Sequence, residues 1–512
     1  MLVDARMTCT ARVREAFRSA ILRPPFGVSG GVMMARWLAF AAVLAGCGGG
    51  GSGRGGADPG PDLPADVPAI PDVAYDVAAP DPAGDASTDV AADPAGDVVP
   101  DPQSDPAPEA GPDAAADAAD LPPQDLPPQD LPTLDLPPHD LPPQDVPISP
   151  CPRLPAPQDR DRKVAVSHPY AADGGKGDAW ELVDLSEDGQ LTLPKGPLFH
   201  MGRAGMGDVV FTPDGEVGIA AQDDATLGVF RVLADGSVEV VHAAFQGSFY
   251  PARVVMDPAG DVAWVLDSQW RNNGGGVYRV RIGCDGKLTD DGIVVPAKLP
   301  YALAFLPDGS GRGVLAAKDV LDVPGGKDFH LLQWGATPSV IGSAAGFPDT
   351  DAIIASLAVS ADSRFVLAGD NAEFSGTGNR VAVVGIGASG LSAHQVLSPV
   401  EDPIGLAASP FGGVAIAVSG YGNAVLPITW DAAAPDPVFA VGAEPQYEGK
   451  RPQLPGNAVT ITRGKLAGRV LIGELSGVRQ VALAGDGSVT DLGAADFGEG
   501  LENMVGAVGV QP

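Results

Sequence analysis

The chain has 512 residues and carries 65 acidic against 32 basic side chains, a formal net charge of −33 at pH 7. So acidic a balance excludes a nucleic-acid backbone as the partner, because neutralising phosphates needs a basic surface. Its 68 Gly and 51 Pro are unevenly spread, so a long early segment cannot bury a core and only the later part can.

Residues 1–32 hold Arg6, Arg12, Arg14, Arg18 and Arg23 but no apolar run, and Met33 or Met34 is the expected start. Arg36 then supplies a short positive region, Trp37 to Val43 an apolar one, and Leu44-Ala45-Gly46-Cys47 a run of small residues ending in Cys. About ten apolar residues are too few to span a hydrocarbon layer roughly 30 Å thick. The stretch resembles the bacterial lipoprotein signal, whose lipobox is Leu-Ala-Gly-Cys. That resemblance implies a signal region over 1–46, cleavage before Cys47, and a lipid on Cys47 that anchors the protein to a membrane. Gly48 follows the Cys rather than the Asp that retains lipoproteins at the inner membrane, so the expected address is the cell envelope, at the outer membrane or cell surface.

Residues 47–150 read as a disordered linker rich in Asp, Pro and Ala. Asp recurs every fourth residue from Asp81 to Asp105 and every fifth from Asp120 to Asp145. Proline removes amide donors and forbids helix interiors, and repeated carboxylates repel, so the expected state is an extended, polyproline-like spacer. Its reach is up to about 300 Å at roughly 3.1 Å per residue. The stretch after Cys47 contains 21 acids and a single base, Arg54. Flexible, isolated carboxylates bind Ca²⁺ poorly, so no cation site is expected there.

From Cys151 onward the pattern becomes a repeat. Asp208 to Phe245 breaks into DVVFT, EVGIAA, LGVFRVL and SVEVVHAAF, four β-rich runs separated by Pro213-Asp214-Gly215, Gln222-Asp223-Asp224 and Asp235-Gly236. Gly and Asp tolerate the positive φ that tight hairpins demand. One turn series recurs near every fifty residues at Asp188-Gly189, Asp235-Gly236, Asp285-Gly286, Thr337-Pro338, Ser389-Gly390, residues 431–437 and Asp486-Gly487. A second falls at Pro213-Asp214-Gly215, residues 257–260, Pro307-Asp308-Gly309, Ala361-Asp362-Ser363, Pro410-Phe411-Gly412 and Arg463-Gly464-Lys465. The first series counts seven units and the second six, since the first unit begins at its second strand. The small apolar run Met504 to Val510 can supply the missing strand and close a ring, which removes exposed edges. The expected fold is therefore all-β: a seven-bladed β-propeller of four-stranded antiparallel blades over 151–512, sealed by the C-terminal strand.

The runs VVFTPDGEVGIAA, VVMDPAGDVAWVLD with GGGVYRVRIGCDGKL, ALAFLPDGSGRGVLAA, and SLAVSADSRFVLAGDN with NRVAVVGIGASGL resemble the YVTN/lactonase-like group of β-propellers. The likeness covers about the last 350 residues. It implies the fold, and either a binding role or lactonase chemistry built on carboxylate, His and Arg groups, sometimes with a divalent metal. From Cys151 onward no His-x-x-x-His, Gly-x-Ser-x-Gly or Cys-x-x-Cys spacing is present, so no metal set or nucleophile elbow is expected and a divalent cation is the sole cofactor that the resemblance admits.

In a meandering propeller both hairpin series share one face, and the longer polar connections share the other, where ligand contacts belong. Aligning the first strands puts Asp208, Arg253, Ala302, Ser356, Gly405, Ala458 and Asn503 at one level near the channel mouth, with Tyr301, Asn457 and Glu502 one residue before it. Asp208 and Arg253 are expected to pair, either plugging the axis or, in a hydrolase, presenting Arg253 to a carboxylate-bearing ligand with Asp208 or Glu502 as base. Tyr250, Trp270, Arg271, Asn272, Tyr301 and Asn457 are the candidate binding residues, Trp270 offering an aromatic beside amide and guanidinium donors. Cys151 and Cys284 are the two cysteines beyond Cys47, and an exported chain favours a disulfide that staples the linker to the propeller. The expected function is a surface lipoprotein, monomeric, whose propeller binds or scaffolds a protein, peptide or glycan. The alternatives are a lactonase-like hydrolase with its site at the channel mouth and a structural envelope component.

Overall fold

The computed structural model describes Cys151 and residues 153–193, 197–267, 275–320, 323, 325–349, 352–371 and 378–512. The signal and linker expectations, with Trp270, Arg271 and Asn272, lie outside these residues.

The described strands form seven antiparallel sheets. Blade one contains β1 (Arg162–Tyr170), β2 (Lys176–Leu185), β3 (Leu191–Thr192) and β4 (Phe199–His200). Blade two contains β5 (Val209–Phe211), β6 (Val217–Ala221), β7 (Leu227–Val232) and β8 (Val238–Phe245). Blade three runs through β9 (Pro251–Met256), β10 (Val262–Asp267), β11 (Gly276–Ile282) and β12 (Leu288–Pro296), and blade four through β13 (Lys298–Phe305), β14 (Arg312–Lys318), β15 (Phe329–Gln333) and β16 (Ser339–Ala344). Blade five holds β17 (Ile354–Val359), β18 (Phe365–Asp370), β19 (Arg380–Gly387) and β20 (Gly390–Leu397). Blade six holds β21 (Pro403–Ala408), β22 (Val414–Ser419), β23 (Ala424–Thr429) and β24 (Ala440–Val441). Blade seven is β25 (Ala458–Thr460), β26 (Arg469–Glu474), β27 (Gly477–Leu483) and β28 (Val489–Asp496), and β29 (Val508–Val510) returns to pair with β1.

Strand alternation explains why the sheets stack. On β1, Val164 and Val166 point to blade seven and pack with Leu471 and Val478, whereas Ala165 points to blade two and packs with Val209 and Ala220. A sheet apolar on both faces must be covered on both faces. Seven buried clusters result, one at each blade interface including the seam between blades seven and one. The ring is closed.

The turns form as the sequence dictates. In both hairpin series an Asp carboxylate accepts the backbone N–H two residues on, as in Asp214 to Glu216 at 3.0 Å, Asp235 to Ser237 at 2.9 Å and Asp486 to Ser488 at 2.9 Å. The following Gly takes positive φ, 76° at Gly215 and 81° at Gly236. Hydrogen bonds from side chain and backbone of Ser237, Lys287 and Ser488 hold Asp235, Asp285 and Asp486 below the usual carboxylate range. Carboxyls with lowered folded pKa stabilise the protein above their unfolded pKa and lose that contribution as pH falls through the lowered value. The urea midpoint should thus fall as pH drops below about 4; a midpoint still flat at pH 3 would contradict this.

The seam differs in register from the sequence expectation. The closing strand is Val508–Val510, pairing Val510 with Val164, Gly509 with Ala165 and Val508 with Val166. Residues 501–503 instead form one 3-10 turn, so Asn503 does not occupy the channel level; Ala507, bonded to Ser167, does. Met504 to Val510 is small and apolar throughout, a composition that leaves register to the burial of particular residues rather than to alternation. Side chains then lock it. Asn457 donates Nδ2 to Val508 O at 3.3 Å and accepts Val508 N on Oδ1 at 3.2 Å. Gln511 accepts Lys163 N at 2.8 Å and donates to Gly215 O at 2.6 Å. Asn457→Ala should cost about 1–2 kcal/mol in urea unfolding by stripping a partner from both the N–H and the C=O of Val508; an unchanged midpoint would show that β29 holds without this clamp.

Candidate functional site

The longer connections cluster on the face opposite the hairpins, as meander geometry requires. At the mouth of the axis, Arg253 of β9 donates Nη1 to Asp208 Oδ1 at 2.8 Å. Its Nη2 donates to Ala355 O on β17, so the side chain reaches from blade three to blade five. Two of its three nitrogens are therefore spent on the protein itself. Both partners keep about a quarter of their side-chain surface, 25% for Arg253 and 24% for Asp208, so the pair is partly solvated and of modest strength.

The other sequence-selected residues do not converge on this pair. Glu502 is exposed in the 3-10 turn Leu501–Asn503, and no hydrogen bond or ion pair joins it to Asp208 or Arg253. The register shift of the closing strand moved it off the channel mouth. Asn457 serves the closure of the ring. Tyr301 is half-buried on β13, its phenol pushed up to about 12 by burial and then by the Asp328 and Asp370 carboxylates, so it stays neutral at physiological pH. Tyr250 is the accessible member, 53% exposed just before β9.

Sequence reading missed a cluster of charged groups where the connections of blades one and two meet. Asp223 is open to solvent yet hemmed in by protein on most sides, and burial raises its pKa against the lowering effect of the Lys176 and Arg203 cations. Tyr170, paired with Lys176 across β1 and β2, has its phenol pushed up by burial and by the Asp223 charge. Gly205 lies so near that an added Cβ would stand 3.0 Å from Asp223 Oδ1. Met206, 37% exposed, is its neighbour in sequence to the channel mouth. Asp224 is not a free ligand: its carboxylate accepts Arg203 N at 2.9 Å and Thr226 Oγ1 at 2.5 Å. The junction thus brings an aromatic, two cations and one carboxylate within electrostatic reach of one another, with Asp223 N donating to Arg203 O at 3.2 Å. Nothing in the spacing of Tyr170, Lys176, Arg203 and Asp223 announces this, since the packing of blade two against blade one brings them together.

Other charged groups on this face are structural. Arg380 donates Nε to Asp370 at 2.8 Å and its fork to both oxygens of Asp349 at 2.7 and 2.8 Å; the Asp349 bonds, then Asp370, hold its pKa above the ordinary arginine value. Arg479 contacts Glu474, forks onto Asp491 at 3.0 and 2.8 Å, and donates to Lys450 O at 2.7 Å. Tyr447 lies beneath its guanidinium at 5.6 Å and accepts Val425 N at 2.9 Å. The loop after Val441 is therefore pinned, although its polarity resembles that of a binding loop. His330, buried, is bonded to Ser343 Oγ at 2.8 Å and Ala317 O at 3.1 Å, and burial lowers its pKa. Among the described residues no group of three His, Cys, Asp or Glu side chains converges as a metal site.

On the hairpin face the structure joins Cys151 to Cys284, with Cα atoms 5.1 Å apart. Arg153 follows, donating to Asp214 at 2.8 Å and to Gly283 O at 2.8 Å. The segment leading to β1 thereby crosses from blade three past blade two.

The chain is a seven-bladed β-propeller. No family model matches it, and no curated protein does. Among solved structures it is similar to a candidate 6-phosphogluconolactonase from Bacteroides uniformis, at 13% identity and a TM-score of 0.49 over 69% of this chain and 100% of that one. A second candidate 6-phosphogluconolactonase, from Bacteroides fragilis, matches at 13% identity and 0.49 over 70% of this propeller's chain and 99% of its own. Sqt1 of Chaetomium thermophilum, bound to the N-terminus of ribosomal protein L10, matches at 14% identity and 0.43 over 65% and 87%. Likenesses this distant carry no information about what the propeller binds.

Proposed function

We propose that this protein is a lipid-anchored envelope protein whose propeller binds or scaffolds a protein, peptide or glycan on the face opposite the hairpins. The observation that carries the reading is the use made of Arg253. Its guanidinium spans the axis between blades three and five, and the remaining candidate base, Glu502, stands apart from it. The lactonase-like alternative loses its assembled site in that arrangement. The same face keeps Tyr250 exposed and brings Tyr170, Lys176 and Arg203 within electrostatic reach of Asp223, groups suited to stacking and hydrogen bonding with a polar ligand. From Cys151 onward the chain holds 42 acids and 25 bases, which disfavours polyanionic partners. The lipid at Cys47 and the spacer after it hold the propeller away from the membrane in this reading.

Thermal melting against glycans, cell-wall fragments and peptides tests it. A ligand that raises Tm in the wild type and fails to do so in Tyr250→Ala or Lys176→Ala is the expected result. A ligand response untouched by both substitutions would place the binding surface elsewhere.

A further inference from the structure

The chain is fastened twice as it enters the propeller, and the two fastenings lie on different blades. The first is covalent: Cys151 is bonded to Cys284, in the turn between β11 and β12 of blade three. Arg153 repeats that attachment two residues on, donating to Gly283 O at 2.8 Å and to Asp214 of blade two at 2.8 Å. From there to β1 the segment is held by single hydrogen bonds. Ala156 N donates to Pro213 O at 2.9 Å, Asp159 Oδ1 accepts Lys465 N at 2.8 Å, and Asp161 Oδ1 accepts Glu187 N at 2.9 Å. The second fastening is β1 itself, laddered to β2 from Arg162 to Tyr170 and to β29 from Val164 to Val166.

Closure of the ring depends on β1. Among the described residues β29 pairs with β1 and with no other strand, so the first and last strands of the propeller meet there. Val164 and Val166 of β1 also fill the cluster shared with Leu471, Val478 and Val508. If β1 slides out, β29 loses its partner, that cluster is opened and the edge of β2 is bared, the condition that closed propellers avoid. Yet β1 is the first strand after the chain enters, so without the disulfide a pull on the chain before Cys151 falls on it first. With the bond in place the pull enters at the turn between β11 and β12. Those two strands are laddered to each other from Gly276 opposite Pro296 to Ile282 opposite Leu288, and β11 is laddered along its length to β10. Residues 152–283, β1 among them, then lie off the covalent path of the load.

We propose that the Cys151–Cys284 bond is a load-transfer point, which carries tension on the chain before Cys151 into blade three and keeps it off β1 and the seam. The inference rests on the reading of the protein as anchored through its N-terminal side, with its partner on the face opposite the hairpins. Cys151 lies on the hairpin face, so a partner held on the opposite face pulls through the propeller from one face to the other. Forced opening is set by the unfolding barrier rather than by equilibrium stability, which makes the point where force enters decisive.

Single-molecule pulling of the whole protein tests this. One handle is placed at the N-terminus and the other on Lys450→p-azidophenylalanine, at a position whose side chain is 71% exposed and which lies beyond Cys284 in sequence. In the oxidised protein no step should precede the main rupture, and full extension should fall short of the reduced protein's by roughly 480 Å, the length of the loop that the bond keeps closed. The double variant Cys151→Ser, Cys284→Ser, and the wild type in a thiol reductant, should show an earlier step at lower force. Its length should be up to about 70 Å, as residues 151–170 pull free. The same early step in oxidised and reduced protein would overturn the proposal. So would its absence from both, since β1 would then need no shielding. No ligand takes part, so a failed ligand response would leave this result standing, and a failed load route would leave the ligand face untouched.

Discussion

Arg479→Ala is expected to destabilise the propeller by roughly 3–5 kcal/mol. The side chains of Arg479, Glu474 and Asp491 are 2%, 5% and 0% exposed, so deleting the cation leaves two carboxylates buried together. Burial already raises the Glu474 pKa, and the Asp491 charge adds to that rise against the lowering effect of Arg479. Without Arg479 the pair must take up a proton or admit water. The loss therefore shrinks as pH falls, since protonation relieves the repulsion. Removal also frees Lys450 O and the ring of Tyr447, so the loop that Glu448 N ties to Asp491 at 2.6 Å should become protease-sensitive. Urea unfolding at pH 7 and pH 5 checks both parts: a change under 1 kcal/mol at pH 7 would mean that solvent already screens the network.

The second large effect concerns the disulfide. Cys151 and Cys284 are 133 residues apart in sequence, a span for which loop-closure entropy gives about 5 kcal/mol, with about 2–4 kcal/mol typical of native bonds. The double substitution Cys151→Ser, Cys284→Ser should lose stability in that lower range. Arg153 keeps part of the segment in place through Asp214 and Gly283, with only 1% of its own side chain exposed, so the propeller itself should stay folded. Leu154, 81% exposed beside it, gives proteases an approach once the staple is gone. Denaturation with and without reductant, followed by limited proteolysis, measures this. Identical midpoints would mean that Arg153 alone fixes the segment.

Fold and site were legible to different degrees for physical reasons. The blade count could be read because Asp-Gly turns are local: a carboxylate caps an N–H two residues away, and glycine takes the positive φ, wherever the pair occurs. The Asp208–Arg253 contact was readable because neighbouring repeats place equivalent positions side by side. The closing strand's register was not, since Met504 to Val510 presents small apolar groups to either side and Asn457, fifty-one residues from Val508 in sequence, decides the match. The loop after Val441 is polar yet pinned, and Arg479 and Asp491 lie too far along the chain to be seen as its anchors. The cluster around Asp223 depends on the packing of blade two against blade one, and the seam on the meeting of the first and last blades; no local pattern encodes either contact.

Hydrolysis of sugar lactones by the wild type and by Arg253→Met, with the melting temperature of each, tests the account most directly. A structural Arg253 predicts no turnover above the buffer rate in either protein and a lower Tm in the variant. Turnover by the wild type that vanishes in Arg253→Met while Tm stays constant would contradict it, and would make the channel mouth an active site.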